Sequence, residues 1–550
     1  MNKYDEYLKD VFSNTNVYKL GNELNNMLQN KFAVTSSNAR KIISRACDKG
    51  LISSSKPVTF GKGQYVYFNN KAGLNINIVK ELSKENRPPI YHLLTLLESN
   101  KGIISYYEGL KVTASPIKKE KEKSNTLNEI LEILTSLKIV EIVKDSGIIY
   151  ITLSSFKVSA GLITEHLNNM VTDCTFIPDI RNWLVKHNFI DNRYVVYRNK
   201  HLPAKGAEHN NYIWDAYAYT KSTGYNTVLG NSGERDDKNT LVVLDIVVYR
   251  TYLSCDVQGF LRRVQAIRSS AKLERKVLPI VVYQDIIPQA YKQLKGLGFI
   301  MLNLGSIYGG NIYPIIKTVT EIKNGISFGS LPSEDIAHNV DYTLSTIEQS
   351  GQTENLQNLK GALFEALMYP VVTRLYPDAS IELGKILKRK NDDGTERNYE
   401  YDAIVRDFQN EEIVVFEFKG LKSTTEIPLK PFDKRGTVKW FFNTTLPFAR
   451  DKLKSGIEFP VKGCYITTAK FSEEALEYFK KINTHKNVKP ETHDLFYDGN
   501  KLIDLLKEKK LQHVVYVLER HFIKEVPSKQ DSDEEVEPTH ISLEDLDNPF

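Results

Sequence analysis

YEYDAIVRDFQNEEIVVFEFKG, residues 399–420, sets two acids where a tight hairpin would bring them side by side. Tyr399 to Arg406 alternates, and Ile413 to Lys419 is rich in β-branched and aromatic side chains, so both flanks are predicted strands. The polar run Asp407 to Glu412 suits the turn. With the hairpin centred between Gln409 and Asn410, Asp402 lies opposite Glu417, and Lys419 shares their face. Like charges directly opposed across a sheet destabilise it, so the arrangement makes sense around a cation. A second reading stays open. Glu400 would lie opposite Lys419, and the four residues would then be an ion-pair ladder on an exposed face. Apolar Val414, Phe416 and Phe418 on the other face, with helical patterns on both sides, argue instead for a covered sheet.

Upstream, NLQNLKGALFEALMYPVV carries Leu356, Leu359, Leu363 and Leu367 on one helical stripe. Glu365 stands off that stripe, among the small residues Gly361, Ala362 and Ala366. A helix Glu, a strand Asp and Glu-x-Lys on the next strand resemble the constellation of the PD-(D/E)xK, or restriction-endonuclease-like, nuclease superfamily. The resemblance covers 355–470, and VKWFFNTTLPFARDKL followed by VKGCYITTAKFSEEALEYFKKI supplies the helix, strand and helix it needs. One departure is Tyr401, where the motif's name has Pro. The resemblance implies catalytic roles for Asp402, Glu417, Lys419 and Glu365. Asp402, Glu417 and the Phe418 carbonyl would hold Mg²⁺ or Mn²⁺, hard cations suited to oxygen ligands. Lys419 would orient or deprotonate a water, and Glu365 would complete the metal shell or position a water.

A weaker echo lies earlier. YIWDAYAYTKSTGYN resembles YEYDAIVRD, and TLVVLDIVVYR resembles EIVVFEFKG. Asp215 then matches Asp402, Asp245 matches Glu417, and Val247 stands where Lys419 stands. The expectation is a duplicated core whose first copy has a degenerate site and serves as scaffold or nucleic-acid clamp. Arg262, Arg263 and Arg268 would be its phosphate contacts. The alternative is an unrelated strand-helix-strand unit.

Residues 17–68 read as helix, polar turn, basic helix (TSSNARKIISRACDKGLI) and a strand pair around Gly61 and Gly63. This resembles the winged helix-turn-helix, which would put Asn38, Arg40, Lys41 and Arg45 on the DNA-binding helix and Lys62 at the wing tip. A second such unit follows ENRPPIYHLL, with Ser124 as the cap of its later helix and a hairpin turning near Asp145 to Gly147. A pure packing role for either unit stays open.

The fold expected is therefore mixed: winged-helix modules (α+β), then two α/β restriction-endonuclease-like cores, the first degenerate. Boundaries are placed at 1–75, 85–155, a helical connector 156–200, a degenerate core 201–310, a nuclease core 345–490, a helical segment 491–527 and an acidic tail 528–550. Residues 528–550 carry a net −7, leaving +12 on the rest of a chain whose total is +5, so DNA is the expected partner. The tail's end, EDLDNPF, resembles the acidic tip of bacterial single-stranded-DNA-binding proteins, which would make Asp545, Asp547, Pro549 and Phe550 a docking element for a protein partner. Self-association into a homo-oligomer is also left open. Four scattered cysteines without a C-x-x-C pair argue against zinc or a disulfide framework. No membrane-length apolar run occurs, and MNKYDEYLKD lacks the apolar core of a leader, so a cytoplasmic location is expected. The leading expectation is a metal-dependent DNA endonuclease, with a bacterial restriction or anti-phage role suggested by the resemblance and the Lys/Asn-rich composition. Its rival is a non-enzymatic DNA-binding or adaptor protein.

Overall fold

The computed structural model of the chain describes residues 2–14, 17–60, 63–71, 74–118, 126–191, 194–220, 240–269, 276–390, 396–431, 435–453, 459–484 and 488–523. Lys62, Ser124 and the tail residues Asp545, Asp547, Pro549 and Phe550 lie outside them.

The N-terminal module runs α1 (Lys3–Val11), β1 (Tyr18–Leu20), α2 (Gly21–Phe32), α3 (Ser36–Asp48), β2 (Ile52–Ser54) and β3 (Val66–Asn69), with the strands ordered β1-β3-β2. Thr35 caps α3 by accepting the Asn38 N–H at 3.3 Å. Ala39, Ile42, Ile43 and Ala46 recur at helical spacing and bury against Leu8, Leu24 and Leu28. That leaves Asn38, Arg40, Lys41 and Arg45 exposed on the opposite face.

A second module has α4 (Ile76–Asn86), α5 (Pro88–Ser99), β4 (Ile103–Ser105), α6 (Tyr106–Thr113), α7 (Leu127–Ser136), β5 (Val140–Asp145) and β6 (Ile148–Leu153). Thr126 and Glu129 form the capping box of α7. Ser146 and Gly147 both take positive φ between β5 and β6, as a two-residue hairpin turn demands. Helix α8 (Ala160–Lys186) leads out of this module.

Two five-stranded sheets follow. The first holds β7 (Val196–Tyr197), β10 (Ala216–Thr220), β11 (Thr240–Tyr252), β12 (Val277–Ile286) and β13 (Ile300–Asn303), in the order β13-β12-β11-β10-β7. A small hairpin, β8 (Ala207–His209) with β9 (Tyr212–Trp214), precedes β10. Helices α9 (Ser254–Arg268) and α10 (Pro288–Gly296) connect its parallel strands, and α11 (Leu304–Tyr308), α12 (Ile312–Phe328) and α13 (Ser333–Gln349) leave it. Next come α14 (Gln357–Leu375) and a second sheet of β14 (Ser380–Lys390), β15 (Glu396–Asp407), β16 (Glu412–Lys419), β18 (Val461–Thr467) and β20 (Phe496–Tyr497). A short parallel pair, β17 (Glu426–Ile427) with β19 (Lys470–Phe471), lies beside it. Between β16 and β18 run α15 (Val438–Trp440), a π turn (Phe441–Thr445) and α16 (Leu446–Leu453); α17 (Glu473–Ile482) precedes β20, and α18 (Gly499–Glu508) and α19 (Gln512–His521) close the chain's described part.

The two sheets share strand order, orientation and register. In each, an antiparallel pair is followed by two parallel additions. Ala216 pairs with Leu244 as Ala403 pairs with Phe416. Asp215 therefore matches Asp402, and Asp245 matches Glu417. In the next ladder Val247 faces Tyr283 as Lys419 faces Thr467. One continuous apolar cluster fills the space between the sheets, built from α8, α12, α13, α14, α18 and α19 with one face of each sheet. Separate clusters cover the outer faces, which explains the unbroken apolar runs in β11 and β16.

Two expected boundaries are corrected. Helix α8 packs on β11 as α14 packs on β16, so 156–200 is part of the first core and not a connector. Strand β20 completes the second sheet and α18 and α19 cover it, so 491–523 belongs to that core.

The second module is locked to the first core where α6 crosses α9. A Cβ on Gly259 would meet the Lys111 carbonyl at 2.5 Å and the Val112 carbonyl at 2.8 Å. Gly259→Ala is expected to destabilise the chain by about 1–3 kcal/mol through overpacking. Gly296→Ala, with nothing within 4 Å, should cost nothing. Denaturation midpoints of the two variants compare them directly.

Candidate active site

The hairpin holds the register that its alternation predicts. Asp407 pairs with Glu412 and Ala403 with Phe416, which centres the turn between Gln409 and Asn410. Asp402 accepts the Phe418 N–H at 2.6 Å. Lys419 Nζ lies 2.6 Å from Glu417 and 3.9 Å from Asp402, and it donates to the Phe418 carbonyl at 3.1 Å. Asp402, Glu417 and Lys419 line a cleft of about 450 Å³ together with Tyr399, Arg435 and Trp440. The exposed-ladder reading fails on two counts. The Asp402 side chain is only 7% exposed, and Glu400 pairs with His201 instead of Lys419.

His201 belongs to a segment that sequence reasoning passed over. Residues 198–201, Arg-Asn-Lys-His, leave strand β7 of the first core and cross to the second. Arg198 stays behind, bonded to Asp215 at 2.9 Å. Lys200 reaches Glu365, and His201 reaches Glu400. Gly384, at φ +59°, makes room: a Cβ there would come within 2.8 Å of the His201 ring. Glu365 is thus at the edge of the site, held by Lys200. The signal in the sequence was the basic cluster Arg-Asn-Lys-His at 198–201.

The electrostatics show an excess of acid. Burial raises the Asp402 carboxyl well above its ordinary range; Lys419 opposes this, and Glu417, Glu365 and Glu400 add to it. Burial would neutralise Lys419, but Glu417 and Asp402 outweigh it and hold its ammonium well above the usual lysine range. Lys200 is likewise kept charged against burial by Glu365 and Glu400. A cluster that clings to protons is one that a divalent cation would relieve. Among the described residues, no group of three or more His, Cys, Asp and Glu side chains is arranged around one point. The set here is two carboxylates and one main-chain carbonyl, which fits a hard cation that keeps several waters, as Mg²⁺ does.

The first core presents the same register with the opposite electrostatics. Lys111, from α6, ion-pairs with Asp215 and lies 3.0 Å from Asp245. Arg263 meets Asp245 at 2.9 Å, and Arg198 lies 3.7 Å from Asp173 on α8. Tyr107 and Tyr252 donate to Asp215 and Asp245 at 2.6 and 2.7 Å. Burial would raise both carboxyls, but Lys111 with Arg198 holds Asp215 down, and Lys111 with Arg263 holds Asp245 down. Three acids meet three cations, and the site is sealed: Lys111, Arg198 and Arg263 side chains are 9, 2 and 1% exposed. In the second core Lys200 and Lys419 are 25 and 32% exposed.

Two expected phosphate contacts are therefore corrected. Arg263 points inward, to Asp245 and the Ile213 carbonyl at 2.6 Å. Arg268 is half-buried and donates to the Val277 carbonyl at 3.4 Å. Arg262 is half-buried near His92. Val247 is buried in the core, and the missing lysine is replaced from outside the sheet, by Lys111. Its one sequence signal was a lysine inside an apolar helical run, YYEGLKV.

The Asp245 and Asp402 positions should respond oppositely to loss of charge. Asp245→Asn takes the carboxylate from Arg263 and one of the two from Lys111, and is expected to cost on the order of 3 kcal/mol. Asp402 has a raised folded-state pKa, so the stability it contributes is present below the unfolded value of about 3.9 and is lost as pH rises through the raised one. Asp402→Asn should escape that loss. Thermal melts in EDTA are expected to converge toward pH 4 and to show the variant more stable by pH 8.

No family model matches the chain, and no curated protein matches it. Among solved structures, a repair endonuclease from Pyrococcus abyssi aligns with 11% identity and a TM-score of 0.17. The alignment covers 30% of this chain and 64% of that one. At that level the likeness carries no argument about fold or activity. No helix among the described residues is long and apolar enough to cross a membrane.

Proposed function

We propose that the second core is a metal-dependent nuclease that hydrolyses phosphodiester bonds of DNA. The observation that carries this is an acid pair with a neighbouring lysine in an open cleft, register-matched to a second acid pair sealed by buried cations. Asp402, Glu417 and the Phe418 carbonyl would hold Mg²⁺ or Mn²⁺. Such an ion acidifies a water and neutralises charge growing on the scissile phosphate. Lys419 would orient or deprotonate that water, and its charge would steady a phosphate oxygen in the transition state. Glu365 and Lys200, paired at the edge, would orient a further water or phosphate. The first core is non-catalytic in this scheme, because its acids already have their cations.

The N-terminal module would deliver DNA. Its helix, strand, helix, helix and hairpin order resembles the winged helix-turn-helix, with the exposed residues of α3 facing a groove. Replacing Arg40, Lys41 and Arg45 with Ala is expected to weaken duplex binding and to reduce its salt dependence by roughly two to three released counterions. Affinity measured from low to moderate salt tests it.

Cleavage is expected to require Mg²⁺ or Mn²⁺, to stop in EDTA, and to fall at least about a hundredfold in Asp402→Ala, Glu417→Ala and Lys419→Ala. Plasmid, linear and single-stranded DNA serve as substrates. Metal-independent cleavage, or full activity in Lys419→Ala, would remove the assignment.

A further inference from the structure

We infer that the strand entering this site is unpaired, with one base stacked on Tyr399 and Trp440 and its phosphates running on past Lys200 and His201. The inference rests on the nuclease reading of Asp402, Glu417 and Lys419.

The cleft beside the carboxylates does not end at Lys419. A second cleft of about 340 Å³ adjoins it and shares Asn199, Glu400 and Lys419 with the first. Together they form a track along the seam between the cores, with the acid pair in its course. The two ends differ in chemistry. At one end Tyr399 and Trp440 stand edge to face, with ring centroids 5.7 Å apart, and Tyr399 is braced by Phe448 at 4.8 Å. Both rings are half-buried and both line the cleft. At the other end lie Lys200 and His201, with Gly361 and Ala362 on the facing helix leaving the backbone close.

An aromatic wall beside a phosphate-cutting site selects the form of the substrate. Within a duplex each base stacks on its own neighbours and offers a protein only its edges. A free base face exists only on an unpaired nucleotide, and stacking it on an aromatic side chain stabilises binding by roughly 1–3 kcal/mol. Each cleft also has room for one small-molecule-sized group, about a nucleotide. The donors at the far end are held in reserve: Lys200 and His201 pair with Glu365 and Glu400 and can turn to phosphate when a strand arrives. A duplex bound by the N-terminal module would thus be cut in a single-stranded arm or an opened segment.

Tryptophan fluorescence supplies a test that does not depend on turnover. The chain has three tryptophans, of which Trp214 is fully buried and Trp183 is stacked on His187. Binding is measured in the Asp402→Asn chain with EDTA, so that no bond is cut, using a twenty-nucleotide oligothymidine and a blunt duplex of equal length. The single strand is expected to quench the emission, and Trp440→Phe should abolish that quench while keeping a stacking ring. Trp440→Leu with Tyr399→Leu should weaken the single strand at least about fivefold and leave the duplex unchanged. Lys200→Gln should weaken the single strand as well, without altering the quench at saturation. Trp440→Phe guards against a misfolded variant, because it preserves the packing. An unchanged single-strand affinity in the double variant, or an equal loss for the blunt duplex, overturns the inference. Stacking without cleavage of any DNA in Mg²⁺ would instead remove the nuclease reading and leave strand binding standing.

Discussion

Two carboxylates facing each other across neighbouring strands cannot both stay ionised in a covered sheet without a cation between them. The rest of this molecule is arranged around that constraint, met twice at one register. At Asp215 and Asp245 the cation is Lys111, delivered by a helix of another module and sealed in with Arg198 and Arg263. At Asp402 and Glu417 the neighbouring lysine comes from the same strand, and the acids outnumber the charge it brings. One site is closed and balanced; the other is open and short of positive charge.

The closed site supports the open one. Arg198 anchors the start of the 198–201 segment inside the first core, bonding Asp215, the Pro203 carbonyl at 2.6 Å and the Met170 carbonyl at 3.2 Å. Two residues later the same chain delivers Lys200 to Glu365, and the next residue reaches Glu400. Buried ion pairs are poor sources of stability but hold geometry well, because breaking one leaves an uncompensated charge. Here that rigidity fixes the wall of the neighbouring cleft. The shared apolar cluster between the sheets does the same on a larger scale, since neither core can shift without opening it.

The β15–β16 hairpin, the Asp402–Glu417–Lys419 face and the α3 surface were legible because each rests on a local period. Strand alternation and helical spacing assign faces without reference to the rest of the chain. Strand β14 was not legible: Gly384 interrupts its alternation with a positive φ, and the strand is half-exposed. Arg263 was misassigned for a related reason. An arginine on an amphipathic helix is usually a surface charge, and only the position of Asp245 across the fold turns it inward.

By itself, then, the amino-acid sequence determined the strands of the hairpin and the helix of α3, the pairing register of the hairpin, and the correspondence of Asp215 and Asp245 with Asp402 and Glu417. All of these depend on spacings within a few tens of residues. Only the tertiary structure decided which cation the first acid pair receives and which one holds Glu365. Lys111 is 104 residues from Asp215, and Lys200 is 165 residues from Glu365. Charge pairing at such separations leaves no period in the chain, because it is set by which helix and which loop the packing of the two cores brings to the same point.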